Sequence, residues 1–266
     1  MEAGRQQNPC VRGEEGNGGP SGGRAVLVTG GAVRLGRTIC ESLAAEGWDV
    51  VIHYRSSVEA AREVARCVEQ RGRRAWLVGG DLAEPGACER VIRKAQEASG
   101  GLAGLVNSAA VFSKESLWTL DAADCERAWR VNCLAPVLLT QAFARTTERG
   151  QVVNLLDRRI TSDDPACIPY LLSKKALAAF TRSAALALAP RFRVNGVAPG
   201  PILPPPGMGP EALHDRAGNV PLGVAACTAE AVAEGVLYLL RAEAVTGQIL
   251  FIDGGQHVLG NGVTAR

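Results

Sequence analysis

The chain has 266 residues, 47% hydrophobic and 21% charged, with 29 Lys and Arg against 27 Asp and Glu for a formal net charge of +2. That length suits one large domain able to bury both faces of a sheet, and the near balance of scattered charges argues against nucleic acid as a main partner. No apolar run approaches the ~20 residues of a membrane span. The eight cysteines and the three histidines, His53, His214 and His257, are dispersed without metal spacing, so no metal is expected and the thiols are read as buried and reduced.

Residues 1–23 are rich in Gly with Pro, Asn and Glu, which cannot bury enough apolar surface to offset ordering, and they read as a disordered tail. They carry no apolar stretch of a secretory signal, and Glu2, Glu14 and Glu15 argue against a transit peptide, so the expected location is cytoplasmic. From residue 24 to 266 the chain reads as one domain. Short β-branched runs near 24–29, 48–54, 74–79, 102–107, 150–156, 192–198 and 247–252 alternate with helical periodicity at 35–46, 57–71, 85–98, 121–146, 167–189 and 228–241. This alternation predicts a single-domain α/β fold, a Rossmann-type doubly wound parallel sheet of seven strands with helices on both faces. The stretch 199–226 holds Pro201, Pro204, Pro205, Pro206 and Pro210, which predict a mobile loop without regular structure over the C-terminal sheet edge, where such folds bind ligands.

The first strand runs into TGGAVRLGR, residues 29–37, and then directly into a helix. Glycines at such a turn let backbone N–H groups approach a pyrophosphate at the helix N-terminus, making Gly30, Arg34, Leu35 and Gly36 candidate cofactor contacts. The second strand ends in His53, Tyr54, Arg55, Ser56 and Ser57, with no acidic residue to accept a ribose 2′-hydroxyl. Arg55, Ser56 and Arg34 offer a 2′-phosphate donors and positive charge, which favours NADP(H) over NAD(H); the alternative is that Arg55 caps a solvated strand end. Asp81 and Leu82 after the third strand are placed to meet the adenine. Downstream, Asp157, Tyr170 and Lys174 form a spaced set. Tyr170 and Lys174, four apart on a helix, share a face, and a neighbouring ammonium would lower the phenol pKa toward working pH.

Taken in order, the TGxxxxxG loop, Asp81, LVNSAA at 105–110, Asn132, YLLSK at 170–174, VNGVAPGPI at 194–202 and FIDGG at 251–255 resemble the short-chain dehydrogenase/reductase family over roughly residues 24–258. The resemblance implies that Asn107, with Ser108 and Ala109, shapes the cofactor cleft. It also implies that Asn132 holds a water in a proton relay with Lys174, that Lys174 binds the nicotinamide ribose, and that Pro199, Gly200 and Ile202 lie on the carboxamide side. Relatives are usually tetramers, so a homotetramer is expected, built through the long helices around the fifth strand and through the C-terminal strand. The usual serine thirteen residues before the tyrosine is here Asp157. With Arg34, HYRSS and Phe112, this pattern resembles the pteridine reductase subgroup, which includes dihydromonapterin and dihydrofolate reductases. There the aspartate pairs with the tyrosine, and the aromatic at the position of Phe112 stacks the pterin. Ala110 departs from the hydroxyl residue expected there, and Ser173 reads as helix surface or packing. The implied function is NADPH-dependent reduction of a pteridine ring, with Asn132, Asp157, Tyr170 and Lys174 catalytic and Phe112, Asp157 and Tyr170 on the substrate. Two alternatives stay open: a carbonyl or imine reductase of a non-pterin substrate, and a catalytically idle NADP(H)-binding redox sensor. Arg158 or Arg159 could also pair with Asp157 and leave it an ion-pair partner only.

Overall fold

The computed structural model describes residues 25–204, 207–209 and 211–259. The expected tail at 1–23, Cys10, Pro205, Pro206, Pro210 and the side chain of His214 lie outside the described residues. The seven apolar runs form β1 (Ala25–Val28), β2 (Asp49–Tyr54), β3 (Ala75–Gly79), β4 (Gly104–Asn107), β5 (Gly150–Leu155), β6 (Phe192–Pro199) and β7 (Ile249–Ile252), each close to its expected place. All pair in parallel in the order β3-β2-β1-β4-β5-β6-β7, with Val26 opposite both Val50 and Gly104. The winding direction reverses between β1 and β4, opening a crevice at the carboxyl ends of these two strands.

Successive side chains of a strand face opposite ways, and β1 uses both directions. Val26 and Val28 pack with Ile39, Leu43, Val64 and Val236 of α1 (Arg34–Ala45), α2 (Val58–Gln70) and α8 (Ala229–Arg241), whereas Leu27 packs with Ile92, Leu139 and Phe143 of α3 (Ala87–Ser99) and α5 (Ala135–Thr146). Every residue of β1 is fully buried, which is why the strand is continuously apolar rather than alternating. Helix α6 (Ile168–Leu188) joins the second layer through Ala184 and Ala185.

Three expectations are corrected. The stretch 121–146 is not one regular helix: α4 (Ala122–Trp129), capped by Asp121, passes through a π-turn at Arg130–Leu134 before α5. Pro136 in the first turn of α5 has no N–H to give the regular ladder, so the register shifts where that bond is missing. The stretch 199–226 does contain regular structure, α7 (Glu211–Ala217) and a 3-10 turn at Val224–Ala226. Between Pro210 and Pro221, Glu211–Ala217 has neither Pro nor Gly and places an acid in its first turn, where the helix dipole favours it. Among the described cysteines, all free, Cys67 and Cys125 are half-buried rather than buried. Among the described residues no helix is long and apolar enough to cross a membrane, and no cluster of three or more His, Cys, Asp or Glu is placed to hold a metal.

Candidate active site

At the crevice, Thr29 joins the ends of β1 and β4: its hydroxyl accepts from the Ser108 and Ala109 amides, each at 3.0 Å. The turn that follows is closely packed. A Cβ on Gly36 would stand 2.1 Å from the Gly30 carbonyl oxygen, and one on Gly30 would meet Ala109 Cα at 3.0 Å. Arg34 adopts the left-handed backbone, φ 53°, that glycine usually supplies. The N-cap of α1, Val33, makes no side-chain cap and the first turn holds no acid, so the amides there remain available to an anion. These features fit a pyrophosphate. The adjoining cavity, about 380 Å³, is lined by this turn with Leu35, by His53, Tyr54, Arg55 and Ser56, by Asp81 and Leu82, and by Ser108 and Ala109.

Among the lining residues that sequence reading missed is Arg127 of α4, whose Nη2 donates to Asp81 Oδ2 at 3.1 Å. Burial alone would raise the Asp81 pKa, but the Ala83 amide and the Arg127 guanidinium hold it below the ordinary value. An arginine mid-helix carries no local signal; only the tertiary fold brings it to β3. Arg34 makes an equally distant contact, donating from Nη2 to the Pro204 carbonyl at 2.9 Å and tying the glycine turn to the proline-rich loop.

His53 is only 2% exposed and lies under the turn. Its Nδ1 accepts from the Gly30 amide at 3.2 Å and its Nε2 lies 3.0 Å from the Gly80 carbonyl, which fixes the neutral tautomer with hydrogen on Nε2. Burial lowers its pKa to about 4. The unfolded chain binds a proton below ~6.5 while the folded chain does not, so the stability from this group is complete above that pH and is lost as the pH falls toward about 4, roughly 3 kcal/mol at most. We expect the Tm to drop across that window, and His53→Gln to flatten the drop relative to the parent; equal slopes in thermal denaturation would remove the assignment.

The second cluster lies beyond the end of β5. Asp157 caps a 3-10 turn at Arg158–Thr161, and Tyr170 and Lys174 come from the start of α6. Tyr170 donates its hydroxyl to Asp157 Oδ2 at 2.9 Å. Phe112, 56% exposed and therefore not a core residue, meets the Tyr170 ring edge-on at 4.8 Å between centroids. Asn132, in the π-turn, brackets Val111, accepting from its amide at 2.8 Å and donating to its carbonyl at 2.9 Å. Its Nδ2 also donates to Ser173 Oγ at 3.1 Å. Ser173 is thus fully buried packing rather than helix surface, and it donates to the Tyr170 carbonyl. Asn107 Nδ2 donates to Asn154 Oδ1 at 2.8 Å, while its own Oδ1 is buried without a partner. Gly200 packs against Asp253, and Pro199 closes β6 beside Ile252 of β7, with Ile202 partly buried beyond it. Pro199, Gly200 and Ile202 lie at the same strand ends but outside the lining of the first cavity.

The electrostatics correct the simple tyrosine–lysine picture. Burial raises the Tyr170 pKa well above its ordinary value, the Asp157 charge raises it further, and Arg159 is the cation that opposes them. Lys174 donates from Nζ to the Leu155 carbonyl at 2.7 Å and makes no hydrogen bond to the Tyr170 hydroxyl, with Nζ 5.9 Å from the Tyr170 ring centre. Burial lowers its own pKa to about 8. Helical spacing put both side chains on one face, but the strand-end carbonyl captured the ammonium. Arg159 does pair with Asp157, through Nη2 at 3.0 Å, without displacing Tyr170.

Comparison with known proteins adds three findings. A family model described as enoyl-(acyl carrier protein) reductase matches residues 31–257. General stress protein 39 of Bacillus subtilis is 34% identical over 245 residues, 89% of this chain and 85% of that protein, and pteridine reductase 1 of Leishmania tarentolae is 31% identical over 273 residues, 86% of this chain and 94% of that protein. The crystal structure of FolM alternative dihydrofolate reductase 1 from Brucella canis, complexed with NADP, superposes with a TM-score of 0.84 at 35% identity, covering 89% of this chain and 95% of that one.

Proposed function

Because the chain belongs to the short-chain dehydrogenase/reductase family and is an oxidoreductase, we propose that it reduces a pteridine ring, a dihydropterin or dihydrofolate, at the expense of NADPH. The observation that carries this reading is the Tyr170 to Asp157 hydrogen bond of 2.9 Å, in place of a serine, beside the half-exposed Phe112 ring. The similarity to pteridine reductase 1 and to the FolM structure supports it.

Bound NADPH would supply hydride to a ring carbon. The uncapped α1 N-terminus would receive the pyrophosphate, while Arg55, Ser56 and Arg34 would meet the 2′-phosphate. Arg127 closes the adenine side by holding Asp81. Asn107, whose Oδ1 is unpartnered, and Lys174 would face the nicotinamide ribose, with Pro199, Gly200 and Ile202 on the carboxamide side. Asn132 fixes Val111 and so the aim of Phe112, whose ring stacks the flat substrate. Tyr170 gives its proton to a ring nitrogen. As its O–H leaves Asp157, the vacated Oδ2 position accepts an amino N–H of the substrate, which a ketone lacks. We further read the enzyme as a cytoplasmic homotetramer: Leu172 and Leu186 on α6 and Trp129 at the end of α4 are exposed in the single chain, Leu186 at 84%.

Purified protein with NADPH should oxidise it, read at its nicotinamide absorbance, in the presence of dihydrobiopterin, dihydromonapterin or dihydrofolate. Turnover confined to ketones, imines or enoyl thioesters would sink the reading. For the cofactor, Arg55→Ala should raise the KM for NADPH about 10-fold or more, the cost of a charge-assisted contact, and leave that for NADH little changed; an unaltered preference refutes the 2′-phosphate role.

A further inference from the structure

We propose that Arg159 is a positioning residue for proton transfer: it clamps the Asp157 carboxylate in place and sets a positive charge beside Tyr170 in addition to that of Lys174. The inference rests on the pterin reductase reading and adds to it a residue for which sequence offered only a bare ion pair.

The Asp157 carboxylate has two oxygens and about four lone-pair positions, and all are met by donors. Oδ1 accepts from the Arg159 backbone amide at 2.8 Å and from Arg159 Nε at 3.1 Å; Oδ2 accepts from Arg159 Nη2 at 3.0 Å and from Tyr170 Oη at 2.9 Å. Arg159 is itself anchored on the far side, its Nη1 donating to Asp164 Oδ2 at 3.1 Å and lying 3.4 Å from Cys167 Sγ. Its guanidinium carbon sits 5.5 Å from the Phe112 ring centre and 5.4 Å from that of Tyr170, so the same group borders both aromatic walls of the site.

The consequence follows the proton. When a substrate nitrogen takes it, the Tyr170 O–H bond breaks, an N–H bond forms, and a phenolate is left beside a carboxylate until water returns a proton. Two like charges that close are unfavourable unless a cation serves both. The charged and titratable groups around them are Arg158 and Arg159 on the turn, Asp164 after it, Cys167, Lys174 on α6, and Asp253 after β7. Of the cations, Lys174 bonds the Leu155 carbonyl and not the carboxylate, and the Arg158 side chain makes no hydrogen bond or close ion pair among the described residues. Arg159 alone holds both carboxylate oxygens, so Asp157 stays in place when Tyr170 departs.

Arg159→Gln and Arg159→Lys test this, with kcat and KM measured separately. With its partner gone, the carboxylate in Arg159→Gln would repel the phenolate. We expect kcat to fall about 10- to 100-fold, the cost of one charge-assisted hydrogen bond, with KM little changed, and Arg159→Lys, which keeps the charge, to recover part of that loss. A loss shared by kcat and KM, or an Arg159→Lys variant no better than Arg159→Gln, would overturn the role. NADPH binding by fluorescence shows that the variants are folded. Activity is read with whichever acceptor the parent reduces, so parent activity on ketones alone defeats the substrate reading, and a parent-like kcat in Arg159→Gln defeats the Arg159 role.

Discussion

Tyr170→Phe is expected to lower kcat ~10³-fold, within the usual contribution of a positioned general acid, with NADPH affinity changed little. The substitution removes one oxygen and nothing else. The ring stays 8% exposed and keeps its edge contact with Phe112, so the wall of the site survives. What is lost is the O–H held at 2.9 Å from Asp157. Single-turnover oxidation of NADPH separates chemistry from binding. A variant retaining a tenth or more of the parent rate would show that the proton comes from elsewhere, and the catalytic assignment would fall.

Asp157→Ser should divide the substrates. Loss of a carboxylate acceptor for an amino N–H costs roughly 1.5–3 kcal/mol, an order of 10- to 100-fold in kcat/KM for a pterin. Ketone reduction should hold or improve, because the carboxylate that raises the Tyr170 pKa is gone and a serine hydroxyl can donate to a carbonyl oxygen. Arg159 keeps Asp164 as a partner in the variant, which limits the damage of an orphaned guanidinium. Equal losses on pterins and ketones would mean that Asp157 acts only by holding the turn at Arg158–Thr161 together.

The architecture was legible because it rests on periodicity. A strand buried on both faces must be apolar throughout, as Ala25–Val28 is, and a helix on a sheet must repeat its apolar residues at Ile39 and Leu43. The glycine turn was legible because backbone approach excludes side chains: no other residue fits at Gly36. Irregularities were hidden, since the π-turn at Arg130–Leu134 depends on a ladder interrupted near Pro136 and α7 on seven residues between Pro210 and Gly218 that hold neither Pro nor Gly.

For the site, sequence by itself determined which groups gather: Asp157, Tyr170, Lys174 and Phe112 are set at the strand ends by the order of the elements, and Arg55 by the end of β2. It did not determine their charges. Whether Lys174 faces the phenol or the Leu155 carbonyl, and whether Arg159 displaces Tyr170 from Asp157 or joins it, turns on differences of a few ångströms among side chains that all satisfy the same spacing. Only the tertiary structure decided those points, and with them Arg127 on Asp81 and Arg34 on Pro204. The physical reason is that backbone periodicity is a local property of the chain, whereas the partner of a long charged side chain is chosen by burial and hydrogen bonding among segments far apart in it.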